Sequence, residues 1–214
     1  MISLNVITYC VASITDILKA VAPSFENITT EDLRVCLHEC LRDSEIDLIL
    51  NLVALKAGFD MQSCNKALTK FYPATDPSVQ ILHDATRKHW VCVYLEKEKV
   101  YYADSYNLTV NKTIQKQLRE LYSRFAVNGQ LQLVRLAVQQ QQNTLDCRVF
   151  AAAFAFHFAK NILPSKVCYD VSKMRVHLVK CITNNKLELF PVDPKGVAQF
   201  SDERVDTIDF KEIA

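Results

Sequence analysis

The segment that most restricts what this chain can become is Asp146-Cys147-Arg148-Val149-Phe150-Ala151-Ala152-Ala153-Phe154-Ala155-Phe156-His157-Phe158-Ala159. It is apolar on nearly every side, so a helix here has no broad face to give to water and must be enclosed by other elements. The chain has 214 residues, half of them hydrophobic, which suffices for one well-packed domain around such a helix. That composition, with a net charge of +1, excludes disorder along its length. The same balance gives no basic stripe, so no nucleic-acid partner is expected. No apolar run reaches the roughly 18–20 residues of a membrane span, so no membrane partner is expected either. Met1 to Ala22 is apolar in places, but Asp16 and Lys19 interrupt it and no basic segment precedes it. It reads as a helix rather than a signal peptide.

Eight cysteines, at 10, 36, 40, 64, 92, 147, 168 and 181, are scattered through the chain, several on apolar faces where a thiol behaves as a small hydrophobe. With no leader, a reducing intracellular setting (nucleus or cytoplasm) and free thiols are expected. Cys36-Leu-His38-Glu-Cys40 is the nearest approach to a metal site. No second ligand pair follows at zinc spacing, and on a helix His38 points away from the cysteines, so neither metal nor cofactor is expected.

From residue 5 to about 70 the pattern is helical. Pro23 closes one helix, Thr29-Thr30-Glu31-Asp32 opens a second, and Ile46 to Ala57 forms a third, ended by Gly58. Near residue 79 the character changes. Val79-Gln80-Ile81-Leu82 and Trp90 to Leu95 are strand-like, Glu96-Lys97-Glu98-Lys99 is a charged turn, and Val100 to Ala103 resumes extended structure, an antiparallel hairpin. A helix over Lys112 to Phe125, a strand over Leu131 to Val138, the apolar helix and a helix over Val171 to Ile182 complete the reading. The organisation is a single domain, with 1–70 a helical N-terminal part, 71–192 the core, and 193–214 a tail expected to be mobile.

A nucleophilic thiol must be ionised near neutral pH, and a free cysteine titrates at roughly 8.5. A helix N-terminus and a neighbouring imidazolium both lower that value. Cys147 has the first, since it stands on the first turn of the apolar helix with Asp146 as a natural N-cap. Of the five histidines, His38, His157 and His177 lie on helices without an adjacent signal, and His83 sits beside Asp84 in an expected loop. His89 stands at the mouth of the hairpin, and the partner strand ends at Asp104. The start of one antiparallel strand faces the end of the next, so those two side chains can meet, and the carboxylate can orient the ring.

The combined spelling is more specific than any of these pieces. His89-Trp90, Tyr102-Ala103-Asp104-Ser105 and Gln141-Gln142-Asn143-Thr144-Leu145-Asp146-Cys147 resemble the Ulp-type cysteine proteases, the ubiquitin-like-specific or SUMO-specific family related to the adenovirus protease. The likeness spans roughly residues 75 to 192. Its flanking pieces, Gln80-Ile81-Leu82, Tyr169-Asp170, Met174 to Leu178 and Leu189-Phe190-Pro191, look like the protease-like domains of animal transposable elements. The resemblance implies an α+β, papain-like fold in which an antiparallel-rich sheet packs against the buried helix carrying the nucleophile. It implies Cys147 as nucleophile, His89 as base then acid, Asp104 as its orienting partner, and the Gln141 side chain with the Cys147 amide as oxyanion hole. Trp90 would roof a narrow channel for a Gly-Gly-like tail, and the partner would be a ubiquitin-like modifier or its conjugates.

Two positions depart from the family pattern. Arg148 follows the nucleophile where the family has glycine, which makes a catalytically impaired interaction module the alternative. SUMO-specific members grip the tail between two tryptophans, whereas this chain has only Trp90, with Phe71 or Tyr72 as substitutes. The same triad can also serve acyl transfer, because a fold does not fix the acceptor.

Overall fold

A computed structural model describes residues 39–64, 70–196 and 203–211. The two helices expected before residue 39, and the Cys36 and His38 members of the cysteine-histidine segment, lie outside the described residues. The elements run α1 (Asp43–Ala57), β1 (Ser78–Asp84), β2 (His89–Glu96), β3 (Lys99–Ala103), α2 (Lys112–Tyr122), β4 (Gln130–Leu136), α3 (Cys147–Phe158), α4 (Val171–Thr183) and β5 (Arg204–Asp209). The strands form one sheet in the order β1-β2-β3-β4-β5. All neighbours are antiparallel except β3 and β4, which pair in parallel through the α2 crossover.

The sheet is covered on both faces, and β2 records this residue by residue. Trp90, Cys92 and Tyr94 join Ala151, Ala152, Phe154 and Leu178 in a core with α1, α3 and α4. Val91, Val93 and Leu95 join Ile114, Leu118, Leu121 and Tyr102 in a second core under α2. A strand buried on both faces has no polar face to show, which is why Trp90 to Leu95 reads as a continuous apolar run. Helix α3 lies across β2 with every residue but Arg148 buried. Its alanines leave room for the sheet to approach, and its phenylalanines fill the flanks. Gly58 ends α1 at φ +73°, a backbone conformation that glycine adopts without strain.

The C-terminal stretch differs from the mobile tail expected of it. Residues 204–209 form β5, paired with β4 from Gln130↔Asp209 to Arg135↔Arg204. Ile208 and Phe210 bury themselves in the α2-side core, and Arg135 pairs with Asp206 at 3.3 Å. Two apolar anchors at its C-terminal end, Ile208 and Phe210, are enough to hold an edge strand whose other face stays exposed, and that sparse pattern reads as a polar tail in sequence. Ile208→Ala should therefore lower unfolding free energy by about 2–4 kcal/mol in a denaturant titration. An unchanged midpoint would mean that the strand is not part of the folding unit.

Candidate active site

The site forms where the sheet ends and α3 begins. His89 is the first residue of β2, and Asp104 follows directly on the last residue of β3. The β2–β3 register pairs Cys92 with Ala103, which puts Asp104 a diagonal step from His89 beyond the last paired residues. His89 Nε2 lies 2.5 Å from Asp104 Oδ1, with both side chains buried. Asp104 is itself fixed by two backbone amides, Tyr106 N to Oδ1 at 2.8 Å and Leu108 N to Oδ2 at 2.9 Å. With Nε2 occupied, Nδ1 is the nitrogen left for a second partner, and it makes no well-formed hydrogen bond. The Cys147 thiol stands beside this ring, close enough to act on it by hydrogen bonding and by charge. Catalytic pairs are commonly this loose before substrate tightens them.

Burial opposes a charge on His89, but Asp104 and Cys147, each by hydrogen bond and by charge, outweigh it and raise its pKa from 6.5 to about 9. At neutral pH the site thus contains an imidazolium beside a sulfur at the N-terminus of a buried helix, the charge partner a thiolate nucleophile requires. Cys147 is only 6% exposed, so the sulfur is largely covered by the surrounding chain.

Residues 141–146 tie the two ends of the site together. Gln141 N donates to the carbonyl of Ser105 at 3.0 Å, and the Ser105 hydroxyl donates to Gln141 Oε1 at 2.5 Å. Gln141 Nε2 donates to the Asn143 carbonyl at 2.5 Å. An amide nitrogen carries two hydrogens, so one remains for a further acceptor. Asn143 Oδ1 in turn accepts from Leu145 N and Asp146 N, at 2.8 and 3.0 Å. Asp146 occupies the N-cap position of α3, but its side chain does not cap the helix. Its Oδ1 takes Nε and Nη2 of Arg175 at 2.9 and 2.6 Å, and its Oδ2 takes Asn143 Nδ2 at 2.6 Å. A charged two-nitrogen grip from Arg175 outcompetes a single backbone amide, so Asp146 is turned away from the helix start.

Trp90 is 1% exposed and carries the Arg148 guanidinium 4.7 Å from its ring centre, with the His83 ring stacked at 4.4 Å. Arg148 also donates to the Leu41 carbonyl and lies 3.7 Å from Asp43. The guanidinium thus covers the indole face that it stacks on. Phe71 cannot stand across from Trp90, because it packs in the α2-side core on the other face of the sheet, while Tyr72 is 73% exposed. Among the described residues, no group of three or more His, Cys, Asp or Glu side chains is placed to hold a metal ion, and no helix is long and apolar enough to cross a membrane.

Neither a family model nor a curated protein matches the chain. Solved structures do. The yeast Ulp1 protease domain in complex with Smt3, the yeast ortholog of SUMO, superposes with a TM-score of 0.56 at 16% identity, covering 75% of this chain and 85% of that one. Ulp1 with its catalytic cysteine oxidised to a sulfinic acid gives 0.57 at 16% identity, covering 81% and 94%. A further de-sumoylating protease gives 0.50 at 14%, covering 75% and 86%. The chain has the Ulp-type cysteine protease fold.

Within this Ulp-type fold, three site residues were not legible in the sequence. Asn143 carries the one available signal, since an asparagine three residues before a helix start often builds a turn of this kind. Arg175 meets Asp146 only because α4 packs beside α3, and no local pattern announces that. Tyr106 looks like an ordinary loop aromatic, yet its ring lies 4.8 Å from that of His89.

The raised pKa of His89 has a direction that can be measured. The folded protein binds this proton more tightly than the unfolded chain, where histidine titrates near 6.5, so the stabilisation is complete below about 6.5 and is lost as pH rises through about 9. Replacing Asp104 by Asn removes the first of the supports that oppose burial, so the His89 midpoint, read by NMR on labelled histidine, should fall by about 1–3 pH units. An unmoved midpoint would show that the carboxylate does not hold the ring.

Proposed function

We propose that this chain is a cysteine peptidase or isopeptidase that cleaves after the C-terminal tail of a ubiquitin-like modifier, in deconjugation or precursor processing. The observation that carries the reading is the buried His89, bound to Asp104 through one nitrogen and set beside the Cys147 thiol on the other. Cys147 Sγ attacks the carbonyl carbon of the scissile amide, and His89 gives its proton to the departing amine as the C–N bond breaks. The thioester that remains is hydrolysed by a water whose proton passes to His89, freeing the carboxylate and the thiol. The backbone amide of Cys147 and the second hydrogen of Gln141 Nε2 receive the oxyanion, a contribution of about 3 kcal/mol per donor in favourable sites. The kind of substrate is supported by Ulp1, which is held in complex with a SUMO ortholog.

A modifier ending in an electrophile tests this directly. Ubiquitin and SUMO probes are incubated with the wild type and with Cys147→Ala. At least one should label the wild type and none the variant. Failure of both probes on the wild type would contradict the reading.

One observation favours a second reading, an impaired Ulp-type interaction module. Arg148 lies on Trp90, the residue a slim tail would have to pass. If the guanidinium keeps the channel shut, Arg148→Gly should raise the labelling rate about tenfold or more, since opening a blocked site removes a barrier of about 1.4 kcal/mol per factor of ten. A rate within twofold of wild type would show that arginine is tolerated there.

A further inference from the structure

Tyr106 reaches Asp104, His89 and Asn143, each by a different group. Its backbone N–H donates to Asp104 Oδ1 at 2.8 Å, the oxygen that also receives His89 Nε2. Its ring lies against the His89 imidazole, with centroids 4.8 Å apart and planes at 35°. Its hydroxyl donates to the Asn143 carbonyl at 2.8 Å, the same oxygen that receives Gln141 Nε2. The turn after β3 makes this reach possible, with Asn107 at φ +52° and its N–H bonded back to the Asp104 carbonyl at 3.0 Å.

We propose that Tyr106 is a positioning residue that couples the thiol–imidazole pair to the oxyanion donor: its ring holds His89 in register with Cys147, and its hydroxyl holds the Asn143 carbonyl that aims the Gln141 amide. This rests on the peptidase reading of the site. An imidazole bound at one nitrogen is still free to swing about that bond, and a plate against its face removes this freedom. The electron-rich face of the phenol also favours the protonated ring. The other charged or titratable groups around His89 do not duplicate this role. Asp104 meets Nε2, Cys147 stands beside the ring, and His83 is stacked on Trp90. Asp84, opposite His89 in the β1–β2 ladder, is engaged by Asn111 at 2.8 Å and by Arg87 at 3.7 Å.

The ring and the hydroxyl separate in two variants of the full chain, Tyr106→Phe and Tyr106→Leu. The first readout is the pH dependence of Cys147 alkylation by iodoacetamide, followed at the Cys147 peptide by mass spectrometry, which needs no modifier. The second is the labelling rate with whichever ubiquitin or SUMO probe reacts with the wild type. Tyr106→Phe should keep the wild-type alkylation profile and label about tenfold more slowly, a loss in the range expected when an oxyanion donor is misaimed but still present. Tyr106→Leu should in addition move the acid-side alkylation midpoint up by about one pH unit, as the imidazolium loses its support. Wild-type behaviour of Tyr106→Phe in labelling, or of a folded Tyr106→Leu in the alkylation profile, overturns the proposal. A wild type whose Cys147 alkylates like a free thiol overturns the peptidase reading, and Tyr106 with it.

Discussion

A histidine that is 2% exposed and yet holds its proton to about pH 9 needs negative charge close on more than one side. Taking a charge out of water is costly, and only a partner held at hydrogen-bond distance repays it. Here Asp104 supplies that partner, and it is itself immobilised by the Tyr106 and Leu108 amides. The sheet register and the turn after β3 set the position of the carboxylate, and the carboxylate sets the ring. Helix α3 then has to deliver Cys147 to the nitrogen that remains. It does so because its apolar surface leaves it one place to go, the layer between β2 and the helices α1 and α4. The same packing that buries the helix therefore aims its first turn at the end of the sheet.

Much of this was readable from residue types and order. The β2–β3 hairpin, the Gly58 stop and the all-round burial of α3 follow from periodicity and turn chemistry that act locally. What was not readable depends on contacts between distant segments. Asp146 has the spelling of an N-cap, but Arg175 from α4 captures its carboxylate, and nothing near Asp146 in sequence could reveal that. Strand β5 has too few apolar residues to stand out from a polar tail until β4 is placed beside it. Arg148 is legible as an oddity, a long cation where a small residue is expected, but its resting place against Trp90 and Leu41 comes only from the fold.

Two arginines connect the start of α3 to the chain that leads into α1 and to its first residue. Arg148 reaches the Leu41 carbonyl and Asp43, while Arg175 reaches the Glu39 carbonyl as well as Asp146. Residues 39–43 are thus fastened over the helix turn that carries Cys147. A guanidinium is suited to this, because its planar fork can stack on an indole while donating in its own plane to carbonyl oxygens. The arginine after Cys147 is therefore integrated with the packing of residues 39–43, and its position over Trp90 links that segment to the sheet end where His89 sits.

The central claim is spatial: the Cys147 sulfur and the His89 imidazole are neighbours in the folded chain. A short bis-electrophile with a three-carbon bridge, such as dibromoacetone, alkylates the thiol first and then any nucleophile within its reach. Peptide mapping of the native protein after treatment should recover Cys147 covalently joined to His89, and the bridged species should vanish after unfolding before treatment. Native protein in which Cys147 carries the reagent without a bond to His89 would contradict the account.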